Sequence, residues 1–298
     1  MPKGLRLQLR DITLLDELGL VGLLDTETIH ARHFPKDKHG TYCRRRLQLY
    51  HHHGLTQQVH RSITSTTRPG RIPMVHRLTP AGAELVEHET GVCPPQFARS
   101  KEPKEHTIQH RLGVAKIMLA VNDACKLHAL QKPEWILDYD VDHGVPIGAP
   151  KAQRFRLYKE FSGRDGKRVA LSPDAASLLY LPVTTPAGEK TQHGLALYWE
   201  YDRSTETHSQ IIEQKLPGYD ALLGHGAYRK LWPPAQAVRV LFVVQSEQRL
   251  ANLSATLLRQ PDANAYYRLA VARNIDARHV LAGKIWRTPG GDHRQILG

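Results

Sequence analysis

Three carboxylates and a lysine stand where their types and spacing could do chemistry. Asp174 follows Pro173 in the segment LSPDA, Glu200 and Asp202 fall in WEYDRSTE, and Lys215 comes after them. If the second segment is a strand, residues two apart face one side of a sheet, so Glu200 and Asp202 project together. Converging carboxylate oxygens can hold Mg²⁺, and a lysine nearby can stabilise the charge that builds on a phosphoryl oxygen. The candidate catalytic set is therefore Asp174, Glu200, Asp202 and Lys215, with the three carboxylates as metal ligands. A plainer reading stands beside it. Asp174 after a proline also suits a turn, and Glu200 and Asp202 also suit a solvated strand end with Arg203 as a surface partner.

The elements that would position this set follow a recognisable order. Ile108, Leu112, Ala115, Leu119, Val121 and Leu127 recur at helical spacing from His106 to about Leu130, and Pro133 stops the pattern. Trp135 to Val141, a stretch within Val169 to Leu181 interrupted at its start by Ser172 and Pro173, and Gly194 to Tyr201 read as three strands, the last two joined by a hairpin at Thr184 to Lys190. A helix is predicted from Thr207 to Leu223. The nearly continuous apolar run AVRVLFVVQ, Ala237 to Gln245, then reads as a buried strand. Helices are predicted at Gln248 to Leu258 and Asn264 to Arg273, and a last strand or edge segment at Val280 to Trp286. Asp138, Asp140 and Asp142 alternate in DYDVDHG and are expected along one face of the first strand. They fail as a calcium loop, because Gly144 falls one place late and Ala149 stands where the bidentate glutamate belongs.

A second constellation is cationic and lies near the front. Arg44, Arg45 and Arg46 open an amphipathic segment whose apolar side is Leu47, Leu49 and Leu55, and Gly54 ends it. Two short strands follow, Leu55 to Ile63 and Met74 to Leu78, around the basic tip TSTTRPGRIP. Thr79 caps a helix from Pro80 to His88. Two further helices, from Asp11 to Leu24 and from Thr26 to about His33, precede the arginines. This is the order of a winged helix-turn-helix, in which one helix enters the major groove and the wing tracks phosphates. Arg44, Arg45, Arg46, Arg68, Arg71 and Arg77 are the candidate contacts to double-stranded DNA. His51, His52 and His53 are consecutive, so they diverge around a helix and do not converge on one ion.

The fold class expected is α/β of the α+β kind, with three segments. Residues 1–92 form the winged helix, 93–105 a proline-rich linker, and 106–298 a nuclease-like core in α-β-β-β-α-β order. The 298 residues carry a formal charge of +12, which suits a chain that neutralises phosphates. Cys43, Cys93 and Cys125 form no CxxC pair, which argues against a disulfide scaffold or zinc ribbon. No run of 18 apolar residues appears, so a cytoplasmic protein without a membrane span is expected.

Two resemblances bear on these residues. The rear core resembles the PD-(D/E)xK nuclease superfamily: Pro173 and Asp174 match its first element and Glu200 the first acid of its second. Asp202 occupies the place of the lysine, which puts cutting activity in doubt, although Lys215 on the next helix could substitute. The whole chain resembles the replication-relaxation family of plasmids and integrating elements. RRRLQLYHHHGL, HRLTPAGAEL, LSPDA and EYDRSTET, with Lys215 and Tyr219, carry the likeness. It implies a DNA-binding accessory protein acting in replication, relaxation or mobilisation of the element, beside the element's replication or transfer proteins. A metal-dependent endonuclease or nickase and a winged-helix transcriptional regulator remain as alternatives. Pairing into a homodimer is expected from the habit of winged domains to act on symmetric sites.

Overall fold

Buried leucines spaced along the first helix set the packing of the front of the chain. The computed structural model describes residues 5–59, 74–94, 105–142, 144–162, 166–184, 188–203, 215–224 and 226–297. Two compact units emerge, residues 1–116 and 117–298, with the division falling inside a long helix rather than in the expected linker at 93–105. Most of that linker segment lies outside the described residues, as do Arg68 and Arg71.

In the front unit, α1 (Leu9–Val21) buries Leu14, Leu15 and Leu18. Strand β1 (Leu24–Asp25) leads into α2 (Thr26–His33), where the Asp25 carboxylate accepts the Thr28 N–H at 2.6 Å as an N-cap. Helix α3 (Thr41–His52) buries Cys43, Leu47 and Tyr50, spaced four and then three apart, so one stripe faces inward. Gly54, with φ of +69°, releases the chain into β2 (Thr56–Val59). With β3 (Val75–Leu78), these strands form an antiparallel sheet in the order β1-β3-β2. Thr79 caps α4 (Pro80–Thr90) by accepting the Gly82 N–H at 3.1 Å. Ile108, near the start of α5 (Glu105–Leu127), joins Leu23, Val59 and Val75 in a small core.

The rear unit is built on a seven-stranded sheet. Its strands are β4 (Glu134–Leu137), β7 (Ala175–Thr184), β8 (Lys190–Asp202), β9 (Ala235–Val244), β10 (Tyr267–Val271), β11 (Trp286–Arg287) and β12 (His293–Arg294), in the order β12-β11-β10-β9-β8-β7-β4. Strands β4, β7 and β8 are mutually antiparallel, and β8, β9 and β10 run parallel. Helix α7 (Leu216–Gly224) and the short α8 (Tyr228–Leu231) lie in the β8–β9 connection and α9 (Glu247–Leu257) in the β9–β10 connection, as parallel neighbours require. One sheet face, with Tyr198, Val240 and Phe242, packs on Tyr219 and Leu222 of α7 and Leu250 and Leu253 of α9. On the other face Trp199 meets Trp135 and Trp286, with ring centroids 5.8 and 6.1 Å apart.

Several sequence expectations need correction. The segment Val169 to Leu181 is interrupted at Ser172 and Pro173 as expected, but the part before the interruption does not belong to the seven-stranded sheet. That part pairs instead in a separate hairpin, β5 (Lys159–Ser162) with β6 (Arg168–Leu171), which precedes β7 and follows the short α6 (Lys151–Arg154). The break falls at Ser172 and Pro173, since proline has no N–H for a ladder. The predicted helix Asn264 to Arg273 is only the turn α10 (Ala263–Tyr266) followed by β10, all five of whose residues are buried beside β9. A short apolar run does not distinguish a buried strand from a helix by periodicity. Val280 to Trp286 is mostly turn, held by buried Val280 and Leu281. Asp138, Asp140 and Asp142 lie past the end of β4, where the Asp140 carboxylate accepts the Leu137 N–H at 3.0 Å.

Gly82 marks the tightest backbone approach in the front unit. A Cβ there would come within 2.0 Å of the Leu55 carbonyl oxygen, which accepts the Thr79 N–H and so is held in place. Gly82→Ala is expected to lower stability by about 1–3 kcal/mol, read as a fall in the urea midpoint at unchanged slope. A midpoint equal to or above the parent's would contradict this packing.

Candidate functional site

The rear acidic residues are brought together by strand register. Ala175 pairs with Trp199, so the next position outward sets Asp174 across from Glu200. The Asp174 N–H donates to the Trp199 carbonyl at 3.2 Å, and its carboxylate accepts the Tyr201 N–H at 2.7 Å. Directly opposite residues share a face, and alternation along β8 puts Asp202 on that face too. It is the face that carries Tyr198 and the α7 contacts.

Glu200 is 1 % exposed, so its carboxylate needs partners. Lys215, immediately before α7, donates to Oε2 at 2.7 Å, and the Tyr219 hydroxyl donates to Oε1 at 2.6 Å. Lys215 and Tyr219 are one helical turn apart, which lets a single helix face serve both oxygens. Burial pushes the Glu200 carboxyl up to about 7, against the pull of Lys215 and with a further push from Asp174. The Tyr219 hydroxyl is driven far above its ordinary range by burial and by the Glu200 charge.

Asp202 takes a different partner. Its Oδ2 accepts from Arg249 Nε of α9 at 2.6 Å, in a nearly buried ion pair. The sequence offered no signal for this pairing, because 47 residues separate the two. The donor set does not fit a Mg²⁺ ion as arranged. Both Glu200 oxygens accept from Lys215 and Tyr219, one Asp174 oxygen holds a backbone N–H, and Asp202 is held by Arg249. Among the described residues no group of three or more His, Cys, Asp or Glu side chains is placed to hold a metal ion.

The front-unit arginines divide in the same way. Arg44 and Arg45 are exposed on α3, beside Thr41, Gln48, His51 and His52. Arg44 Nη2 reaches the His39 carbonyl at 2.9 Å. Arg46 departs from the expected DNA-facing role: it forms an ion pair with the fully buried Asp11, donates to the Arg6 carbonyl at 2.7 Å, and lies over the Tyr50 ring. Tyr50 donates to the same carboxylate at 2.5 Å. Burial alone would raise Asp11, but hydrogen bonds from Arg46 and Tyr50 hold it below its ordinary value. Arg77 is tied across the β2–β3 ladder, its Nε and Nη2 donating to Gln57 Oε1 at 3.0 and 2.7 Å. No single-sequence signal pointed to Asp11 as the buried partner.

A raised carboxyl has a definite consequence for stability. With its folded value near 7 against an ordinary 4.5, Glu200 holds its proton more firmly in the folded chain. Stability is then greatest below about pH 4.5 as far as this group is concerned, and falls by on the order of 3 kcal/mol as pH rises through 7. Thermal melts of the parent and of Glu200→Gln from pH 5 to 8 should show this fall in the parent and a flatter profile in the variant. Parallel profiles would mean that Glu200 does not titrate there.

A family model described as replication-relaxation matches residues 15–233, a span that contains Arg44, Arg45, Asp174, Glu200 and Lys215. No curated protein matches the chain, and no solved structure does. A match over well more than half of the 298 residues shows the kinship: this chain belongs to the replication-relaxation family.

Proposed function

We propose that this protein is a DNA-binding accessory factor of a plasmid or integrating mobile element, acting in its replication, relaxation or mobilisation. The observation that carries the reading is the two-sided character of α3. Cys43, Leu47 and Tyr50 anchor it, while Arg44, Arg45, Gln48 and the two histidines after Tyr50 face solvent. With three helices, an antiparallel β1-β3-β2 sheet and a capped fourth helix, the front unit has the parts of a winged helix. Helix α3 is its reading helix. Membership of the replication-relaxation family and the net charge of +12 point the same way.

The rear unit is a nuclease-like scaffold that braces or docks rather than cuts. Its helix, antiparallel strand trio, crossover helix and parallel strand support kinship in shape with PD-(D/E)xK enzymes. Its acidic residues are spent on internal pairs. A homodimer on a symmetric site and contact with the element's replication or transfer proteins complete the proposal.

Fluorescence-anisotropy titrations of duplex DNA at several salt concentrations test the reading head. Arg44→Ala with Arg45→Ala should weaken binding and make the log–log salt slope shallower by about two, since each phosphate contact contributes roughly 0.9. An unchanged slope would remove α3 from the interface. Supercoiled plasmid incubated with excess protein and either Mg²⁺ or Mn²⁺ should stay supercoiled. Nicking that Asp174→Ala abolishes would replace the scaffold reading with an enzymatic one.

A further inference from the structure

The chain beyond the family match supplies β9 to β12, and there the register gathers arginines on one sheet face. Val238, Val240 and Phe242 of β9 belong to the core around Tyr219, so Arg239 points to the opposite face. Arg268 pairs with Leu241, two residues from Arg239, and therefore shares its face. Extending the Leu269–Arg287 pairing by one position sets Arg268 across from Thr288. Arg294 pairs with Trp286, which alternates onto the same face as Thr288.

The charges on this face are poorly compensated. Arg268 is 8 % exposed, yet its Nη1 donates only to the Asn264 and Tyr267 carbonyls, at 2.7 and 2.8 Å. Half-buried Arg239 donates to the Val238 carbonyl at 2.7 Å. Neither meets a carboxylate within the described residues, and the side chains that act on Arg268 are Arg239 and Arg294, both of its own sign. Burial and these neighbours lower its hold on the proton, but a guanidinium stays charged at neutral pH. Arg294 forms an exposed pair with Asp292 at 2.9 Å. No Arg239 or Arg268 nitrogen is among the sealed, unpartnered atoms, so their unused N–H groups still reach solvent. Buried cations are ordinarily paired, and among the described residues Arg268 and Arg239 meet no counter-ion.

We propose that Arg239, Arg268 and Arg294 form a phosphate-binding site on the sheet face opposite Glu200. Planar guanidinium forks suit the oxygens of a phosphoryl group, which would supply the missing negative charge. The phosphate could belong to a DNA backbone or be free in solution. This site stands independently of α3 and its role.

Two arms of one experiment on the full chain test the site. Thermal melts in inorganic phosphate against chloride at matched ionic strength should show a higher midpoint in phosphate, lost in Arg239→Gln with Arg268→Gln. Duplex titrations across salt form the second arm. A backbone phosphate makes the variant's salt slope shallower by about one, whereas a free-phosphate site leaves the slope unchanged and removes only the melting gain. A phosphate gain that persists in the variant overturns the proposal, as does the absence of any gain together with an unchanged slope. If the double variant does not fold, the exposed Arg294→Gln is judged by the same criteria.

Discussion

The pairing of β7 with β8 governs the rear unit. Ten consecutive antiparallel pairs, from Ala175 with Trp199 to Thr184 with Lys190, lock one strand against the other. A slip of one residue would turn every side chain to the opposite face, and Asp174 would no longer lie across from Glu200 on the α7 side. Because β8 also pairs with β9 along its other edge, its acidic end is carried into the interior rather than left in water. Desolvation then makes the demand that Lys215 and Tyr219 meet. The helix that follows β8 is positioned by an apolar core, and Lys215 just before it and Tyr219 in its first turn satisfy what the strand has buried.

The front unit solves a similar problem with different residues. Asp11 is fully buried within a leucine-rich helix, and an unpaired carboxylate there would cost several kcal/mol. Arg46 and Tyr50 cancel that cost, which removes one of three consecutive arginines from the surface. The two that remain, Arg44 and Arg45, lie on the solvent side because the inward stripe of α3 is already taken by Cys43, Leu47 and Tyr50. A basic run in a helix is thus divided by the helical period into structural and available members.

Compensated and uncompensated charge distinguish the two faces of the rear sheet. On the α7 face the buried carboxylates Asp174, Glu200 and Asp202 each meet a cation or a hydrogen-bond donor. On the opposite face Arg239 and Arg268 meet carbonyls and one another's charge, a condition that an anion relieves.

Local pattern was enough for the helices of the front unit, the Thr79 cap, the Gly54 stop and the buried strand at Ala235–Val244, since each rests on periodicity or on one residue's backbone preference. The same pattern placed Asp174 and Glu200 at strand ends and Lys215 with Tyr219 on one helix face. It misread β10, because five buried residues carry no alternation to read. Pairings between distant segments were beyond it: Asp11 with Arg46, Asp202 with Arg249, and the arginines of β9, β10 and β12. Residue order determines which side chains share a face of their own element. Which faces meet, and therefore which charges are spent internally and which stay available, is decided only when sheet register and helix packing bring separate elements together.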